Sequence, residues 1–327
     1  MKAPIRPAAA IACTLAILAG AGAASAAEGA AYPQRPIRFI VPFPPGGGND
    51  IVGRIVAQGL SEGLSQSVVV DNRGGAGGTI GTDLTAKAPA DGHTMLVNNI
   101  SLAVNATLMP KLAYDTLRDL APVSIIGRQP NILVVHPAMK AKTVKELLAA
   151  ARAKPGAVNY GSGGVGTASH LATEMLLGMT NTRATHVPYR GFAPALTDLL
   201  AGQIDFTFDP GPGLPQVRSG KLRMLAVGSM KRTPLFPDVP TLDELGLKGF
   251  DADSFFGFYA PAGVDAAIIE RMNKEINAIL ATPAVSQRIA DLGGEVAAMT
   301  PEAFAEQMRK DADRFGKLIR ERGIKVE

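Results

Sequence analysis

The chain of 327 residues contains one cysteine, no tryptophan, and aromatic residues at only 5% of its positions. A single thiol rules out an internal disulfide framework, so a stable fold must rest on a full-sized hydrophobic core. An apolar content of 46% permits one. Scarce aromatics leave little surface on which bases could stack, and no run of basic residues occurs, which argues against nucleic acid as a partner. Histidine is also scarce. His93, His136, His170 and His186 never pair at i, i+4, and no H-E-x-x-H motif exists, so no metal site is expected. The G-x-S-x-G elbow of serine hydrolases is missing too.

Beyond the first 26 residues no stretch is long and apolar enough to span a bilayer, which points to a soluble protein. Those 26 residues themselves form an export signal. Lys2 and Arg6 give a basic start, Ala8–Ala24 an apolar stretch shorter than a membrane span, and Ala24-Ser25-Ala26 a small-x-small cleavage site. Cys13 lies inside that stretch, behind Ala10-Ile11-Ala12, a poor match to a lipoprotein acylation site. Removing the leader takes away two basic residues and no acids, so the net charge of +4 falls toward neutral. Roughly 300 residues remain, the upper edge for one core, so two lobes are expected.

What the chain has in quantity is glycine, 36 residues, concentrated in loops. Three times a short apolar run breaks into a glycine-rich loop and then opens a helix, in Ile37–Val56, Val68–Lys87 and Val158–Leu177. Such a loop leaves unpaired N–H groups at the positive end of a helix dipole. Three that converge would form a receptor for a small molecule bearing carboxylates or phosphates.

The first lobe reads as strands at Ile37–Pro42, Ser67–Val70 and Thr94–Val97. The helix after the first strand has Ile51, Val52, Ile55 and Val56 on one face. The alternation of strand and helix predicts a parallel α/β sheet. From Val123 the pattern restarts, with strands at Asn131–Val135, Ala184–Pro188, Ile204–Phe208 and Leu222–Val227. Helices are expected at Thr143–Ala153, capped by Thr143 with Glu146 three residues on, and at Pro194–Ala201. Phe255–Tyr259 would return the chain to the first lobe, and helices near Ala266–Ala281 and Pro301–Arg322 end it. The expected division is residues 1–26 as leader, 27–127 with 254–327 as the first lobe, and 128–253 as the second. Crossings near Gly127 and Phe255 make a hinged pair whose glycine loops face one cleft beyond the strand ends.

Several residues carry competing readings. Gly161-Ser162-Gly163-Gly164-Val165-Gly166 fits G-x-G-x-x-G, but the next strand ends His186-Val187-Pro188-Tyr189-Arg190, without the acid that would hold a ribose. The same glycines suit a carboxylate if Thr167 and Ser169 add hydroxyls. Gly46-Gly47-Gly48-Asn49-Asp50 is no P-loop, since no G-K-[ST] follows. Asp50 most simply caps the helix, leaving the amides of Gly46–Asn49 free, while Pro42, Pro44 and Pro45 stiffen the approach. The second loop, Gly74–Gly81, is either a ligand loop reaching Thr79 or a tight structural turn. His170 either orients the third loop or touches the ligand. Asp209, before Pro210-Gly211-Pro212-Gly213, either faces the cleft or forms a turn.

Taken in order, PFPPGGGND, DNRGGAGGTIGT, GVGTASHL, HVPYRG, LPQVRSGKLRMLAV, PDVPTLDELG, FFGFYAPAG and GKLIRERGIKVE resemble the Bug-type periplasmic receptors of tripartite tricarboxylate transporters. The resemblance covers nearly the whole mature chain. It implies an α/β, two-lobed periplasmic binding protein of type II, or Venus flytrap, each lobe a central sheet flanked by helices. It implies an exported, periplasmic, non-catalytic monomer without cofactor that hands an organic acid to a membrane permease. The family's ligand loop falls on Phe43–Asp50, with Phe43, Gly46, Gly47, Gly48 and Asn49 as ligand residues. Its hydroxyl-bearing loop falls on Gly164, Thr167, Ala168, Ser169 and His170, and its cleft aspartate on Asp209. Asn49 stands where relatives tend to carry threonine, and Asn98-Asn99-Ile100-Ser101 replaces a glycine- and serine-rich run, placing Ser101 among the candidates with Thr79. The rival functions are an exported dinucleotide-dependent oxidoreductase and a ligand sensor for a membrane kinase.

Overall fold

The computed structural model describes residues 32–109 and 111–325; the leader expected at residues 1–26, with Cys13, lies outside the described residues. In chain order the first sheet-and-helix unit is β1 (Ile37–Val41), α1 (Gly48–Leu64), β2 (Val68–Asn72), α2 (Thr79–Ala86), β3 (Thr94–Asn99), α3 (Ser101–Leu108) and β4 (Leu120–Ile125). A short crossing strand, β5 (Gly127–Arg128), leads to β6 (Ile132–Val135), α4 (Val144–Ala153), β7 (Asn159–Ser162), α5 (Ala168–Thr180) and β8 (Thr185–Pro188). The second unit continues with α6 (Phe192–Leu200), β9 (Phe206–Asp209), α7 (Leu214–Arg218) and β10 (Arg223–Val227). The chain returns through β11 (Phe256–Pro261), α8 (Ala266–Leu280), α9 (Pro283–Asp291), β12 (Glu295–Val296) and α10 (Pro301–Arg322).

Two five-stranded sheets result, ordered β2-β1-β3-β11-β4 and β10-β6-β9-β7-β8. Both faces of each are covered, as the strand sequences require. In β1, Ile37, Phe39 and Val41 enter one apolar cluster with α1 and α8, while Ile40 enters another with α3 and α10. In β6, Leu133 and Val135 face α4 and α5, and Ile132 and Val134 face α6 and α7. A parallel sheet was expected in the first lobe, and the structure corrects this to mixed sheets in both units. β1, β2 and β3 run parallel, as do β7, β8 and β9, but β11 is antiparallel to β3 and β4, and β6 to β9 and β10. The reason is connectivity. Each sheet receives strands from segments that cross between the two units, and a crossing strand arrives from the opposite end.

The crossings lie side by side. Gln129 and Ser254 exchange backbone hydrogen bonds of 2.7 and 2.9 Å, and β5 pairs antiparallel with β12. Helix starts follow their local chemistry. Thr143 Oγ1 accepts the Glu146 N–H at 3.2 Å, as expected, and Thr300 and Asp265 cap α10 and α8 in the same way. Helix α9 was not anticipated, because Ile289 is its only buried apolar side chain and no apolar stripe marks it.

Candidate functional site

Beyond the carboxyl ends of the strands, where the two units face each other, lies a cavity of about 40 Å³. That volume holds a few waters or one carboxylate group. Three helices begin on its wall. Gly47, Gly48 and Asn49 start α1, Thr167, Ala168 and Ser169 start α5, and Gly191 through Pro194 start α6. Phe43, Pro44, Pro45, Asn99, Gly163, Pro210 and Phe256 complete the lining, and no charged residue is on the wall. Among the described residues the N–H groups of Gly47, Gly48, Asn49, Ala168 and Ser169 have no hydrogen-bond acceptor. The wall is therefore neutral in formal charge and positive in partial charge.

The first loop is held from behind by Asp50. Its side chain does not cap the helix as expected; the N-cap position is Gly47, and Asp50 sits in the first turn. The carboxylate turns back to accept the Gly46 N–H at 3.0 Å, Asn72 Nδ2 at 3.0 Å and Arg54 Nε at 3.0 Å. Burial pushes this carboxyl up, but the hydrogen bonds from Arg54, Gly46 and Asn72 outweigh that and hold it below the usual range. Gly46 thus spends its amide inside the loop and is not on the cavity wall. Asn49 is 4% exposed, lines the cavity, and its Oδ1 has no partner among the described residues. Gly48 is pressed against the Phe256 ring, so only glycine fits there.

The third loop is braced by its own hydroxyls. Ser169 Oγ accepts the Gly163 N–H at 3.1 Å, and Thr167 Oγ1 donates to the Gly164 carbonyl at 2.7 Å. His170 lies behind the wall, with Nδ1 accepting the Gly166 N–H at 3.1 Å. Its ring stacks on His186 at 4.2 Å between centroids, and His186 on Tyr160 at 4.7 Å. Burial holds both imidazoles down to about 4, with each other's charge adding to the effect at His186, so both are neutral at physiological pH. The orienting reading of His170 is the one its contacts fit.

Asp209 ends β9, fully buried, with Oδ1 accepting the Gly211 N–H at 2.8 Å and Oδ2 packed against Gly213. Burial raises its carboxyl to about 7. Its neighbour Pro210 lines the cavity; the aspartate does not. Ser101 is likewise buried off the wall, in the first turn of α3, where its N–H donates to Asn99 Oδ1. Thr79 opens α2 and donates to the Ala76 carbonyl, away from the cavity. Gly164 lines a second, larger space next to it, together with the glycines of the second loop.

Of the expected residues, the structure brings together Phe43, Gly47, Gly48, Asn49, Thr167, Ala168 and Ser169, and leaves Gly46, Thr79, Ser101, Gly164, His170 and Asp209 off the wall. The third converging helix is α6, where the second glycine loop had been expected. Gly191 was missed, although its sequence holds the signal. Phe192-Ala193-Pro194 places proline in a first helical turn, where it costs nothing, which moves the helix start back to the glycine. Gly191 has φ of +107° and approaches Pro44 so closely that a Cβ would come within 3.1 Å of it.

The model of the family described as "Tripartite tricarboxylate transporter family receptor" matches residues 52–324. The chain is 41% identical over 313 residues to the protein BugT of Bordetella pertussis, covering 95% of this chain and 96% of that protein. An R. palustris structure solved with adipate superposes with a TM-score of 0.87 at 33% identity, covering 90% of this chain and 99% of the other. The periplasmic binding protein BugD superposes with a TM-score of 0.86, also at 33% identity, over 90% of this chain and all of that one.

Proposed function

The chain belongs to the tripartite tricarboxylate transporter receptor family, and from this premise we propose that its cleft captures a small organic acid by one carboxylate and presents it to a membrane permease. The observation that carries the reading is the convergence of three helix starts on one uncharged wall, with free amides at α1 and α5. Each amide aimed at a carboxylate is a charge-assisted hydrogen bond, about 1.5–3 kcal/mol, and each helix terminus adds about 0.3–1 kcal/mol. Closure strengthens both terms by excluding water.

The ligand residues are Gly47, Gly48 and Asn49 from one lobe and Thr167, Ala168 and Ser169 from the other, with Phe43, Gly191 and Phe256 as apolar walls. Asp50, His170 and Asp209 support the loops from behind. The lobes divide at the paired crossings around Gly127–Asn131 and Asp251–Phe255. The adipate-bound relative supports an organic acid as guest. The wall's hydroxyls, on Thr167 and Ser169, are engaged in bracing their own loop and no carboxylate, imidazole or amine lies beside them on the wall, which supports binding without turnover. Periplasmic capture followed by delivery to the permease, by a monomer, completes the proposal.

Isothermal titration of the purified protein against mono-, di- and tricarboxylates tests it. Saturable binding of at least one acid is expected, and heat signals no larger than dilution across the whole panel would overturn it.

A further inference from the structure

A cavity of about 40 Å³ accommodates an acid group but not the body of an acid such as adipate. The structure provides space for that body immediately beside it. A second chamber, of about 510 Å³, shares Phe43, Pro44, Pro45, Gly163 and Gly191 with the first as a common boundary. Its far wall is the second glycine loop, Gly74 through Gly78, which the expected convergence on the first cavity left without a role. Asn105 Nδ2 fixes this loop by donating to the Gly77 carbonyl at 3.1 Å. The N–H groups of Gly74, Gly75, Ala76 and Gly77 have no acceptor among the described residues.

One charged residue lines the chamber, Arg190, and its side chain forms no ion pair or hydrogen bond among the described residues. Its neighbour Tyr189 is committed elsewhere, donating to Asp198 Oδ2 at 2.6 Å. The segment carrying Arg190 runs directly into Gly191, which lies against Pro44 of the opposite lobe, so Arg190 stands where the two lobes meet. Resting on the carboxylate reading of the first cavity, we infer that the second chamber is the subsite for the far end of the ligand, and that Arg190 with the Gly74–Gly77 amides selects an acid carrying a second anionic group.

The chemistry favours this assignment. A guanidinium facing a carboxylate gives a bidentate, charge-assisted pair, and it leaves a methyl terminus without a partner. The first cavity would then set affinity for any acid, and the second would separate diacids from monoacids of equal length.

The test uses the purified protein and matched probes, adipate against hexanoate, with straight-chain diacids of three to eight carbons to locate the best length. Arg190→Gln should weaken adipate about 10- to 100-fold and leave hexanoate unchanged. Arg190 is exposed, so the fold should persist, which thermal melting checks. Ala76→Asp provides a second variant. Ala76 has φ of +47°, which aspartate tolerates, and the added carboxylate should repel the far end of adipate alone. Equal loss for both probes, or no loss for adipate in either variant, would overturn the inference while leaving the carboxylate reading in place. Failure of the unaltered protein to bind any acid would overturn both.

Discussion

At the residue scale the cavity depends on what its positions lack. Gly47 has an ordinary φ of −82°, and a Cβ there would meet nothing nearer than 3.9 Å within the protein. A side chain at this position therefore costs the fold little and enters the space a carboxylate needs. Gly47→Val should leave the melting temperature within a few degrees while raising Kd for acids about 100-fold or more, as titration and thermal melts would establish. Asp209 carries a separate prediction. Burial raises its folded-state pKa to about 7, above the ordinary carboxylate value, so the native state keeps a proton that the unfolded chain releases. Stability from this group is therefore greatest below pH 4 and declines as pH climbs to 7. Asp209→Asn should stabilise the protein at pH 8 by on the order of 2–4 kcal/mol and hardly at all at pH 4, measured by denaturant unfolding at both values.

Among elements, α1 and the loop before it depend on Asp50, which ties Gly46, Asn72 and Arg54 together. Asp50→Ala leaves the Gly46 amide without its acceptor, Asn72 Nδ2 with the Phe43 carbonyl alone, and Arg54 without its carboxylate. It should cost about 2–4 kcal/mol and weaken acid binding by loosening the loop, both readable from unfolding and titration of the same sample. The strands and most helices were legible in the sequence, because β6 is a continuous apolar run, β1 is one broken only by Arg38, and α1 and α8 carry regular apolar stripes. Helix α9 was not, since Ile289 is the one side chain it buries fully, and neither was the place of β11 between β3 and β4, because strand pairing over such separations leaves no local mark. The site divides along the same line. Glycines that open helices in the sequence do so in the structure. Whether a polar side chain beside them faces the cavity or braces the loop, as Asp50, His170 and Asp209 do, depends on contacts with distant elements.

For the molecule as a whole, closure rests on apolar contact as well as on the guest. Ala168 and Leu171 of α5 are buried in one cluster with Ile100, Val104 and Leu108 of the opposite lobe. Gly166, with φ of +80°, lies flush against Leu108 and Val104. A Cβ at Gly166 would meet Leu108 head-on, so Gly166→Ala should wedge the lobes apart. Small-angle scattering should then show a larger radius of gyration that no longer contracts with acid present. Pairing it with Leu108→Ala, which makes room for the methyl group, should restore contraction; persistence of the expanded form in the double variant would trace the defect to backbone strain in the loop instead.

The anchoring of an acid by main-chain nitrogen also bears on how such a receptor can diversify. Peptide groups are common to every residue, so exchange of a neighbouring side chain leaves these donors in place unless proline enters. The grip on the first carboxylate is in that sense insulated from most changes in the side chains around its glycines. Phe43, Asn49, Phe256 and Arg190 are free to vary around it, and a lineage built on this frame could acquire new guests without first surrendering its hold on the old one.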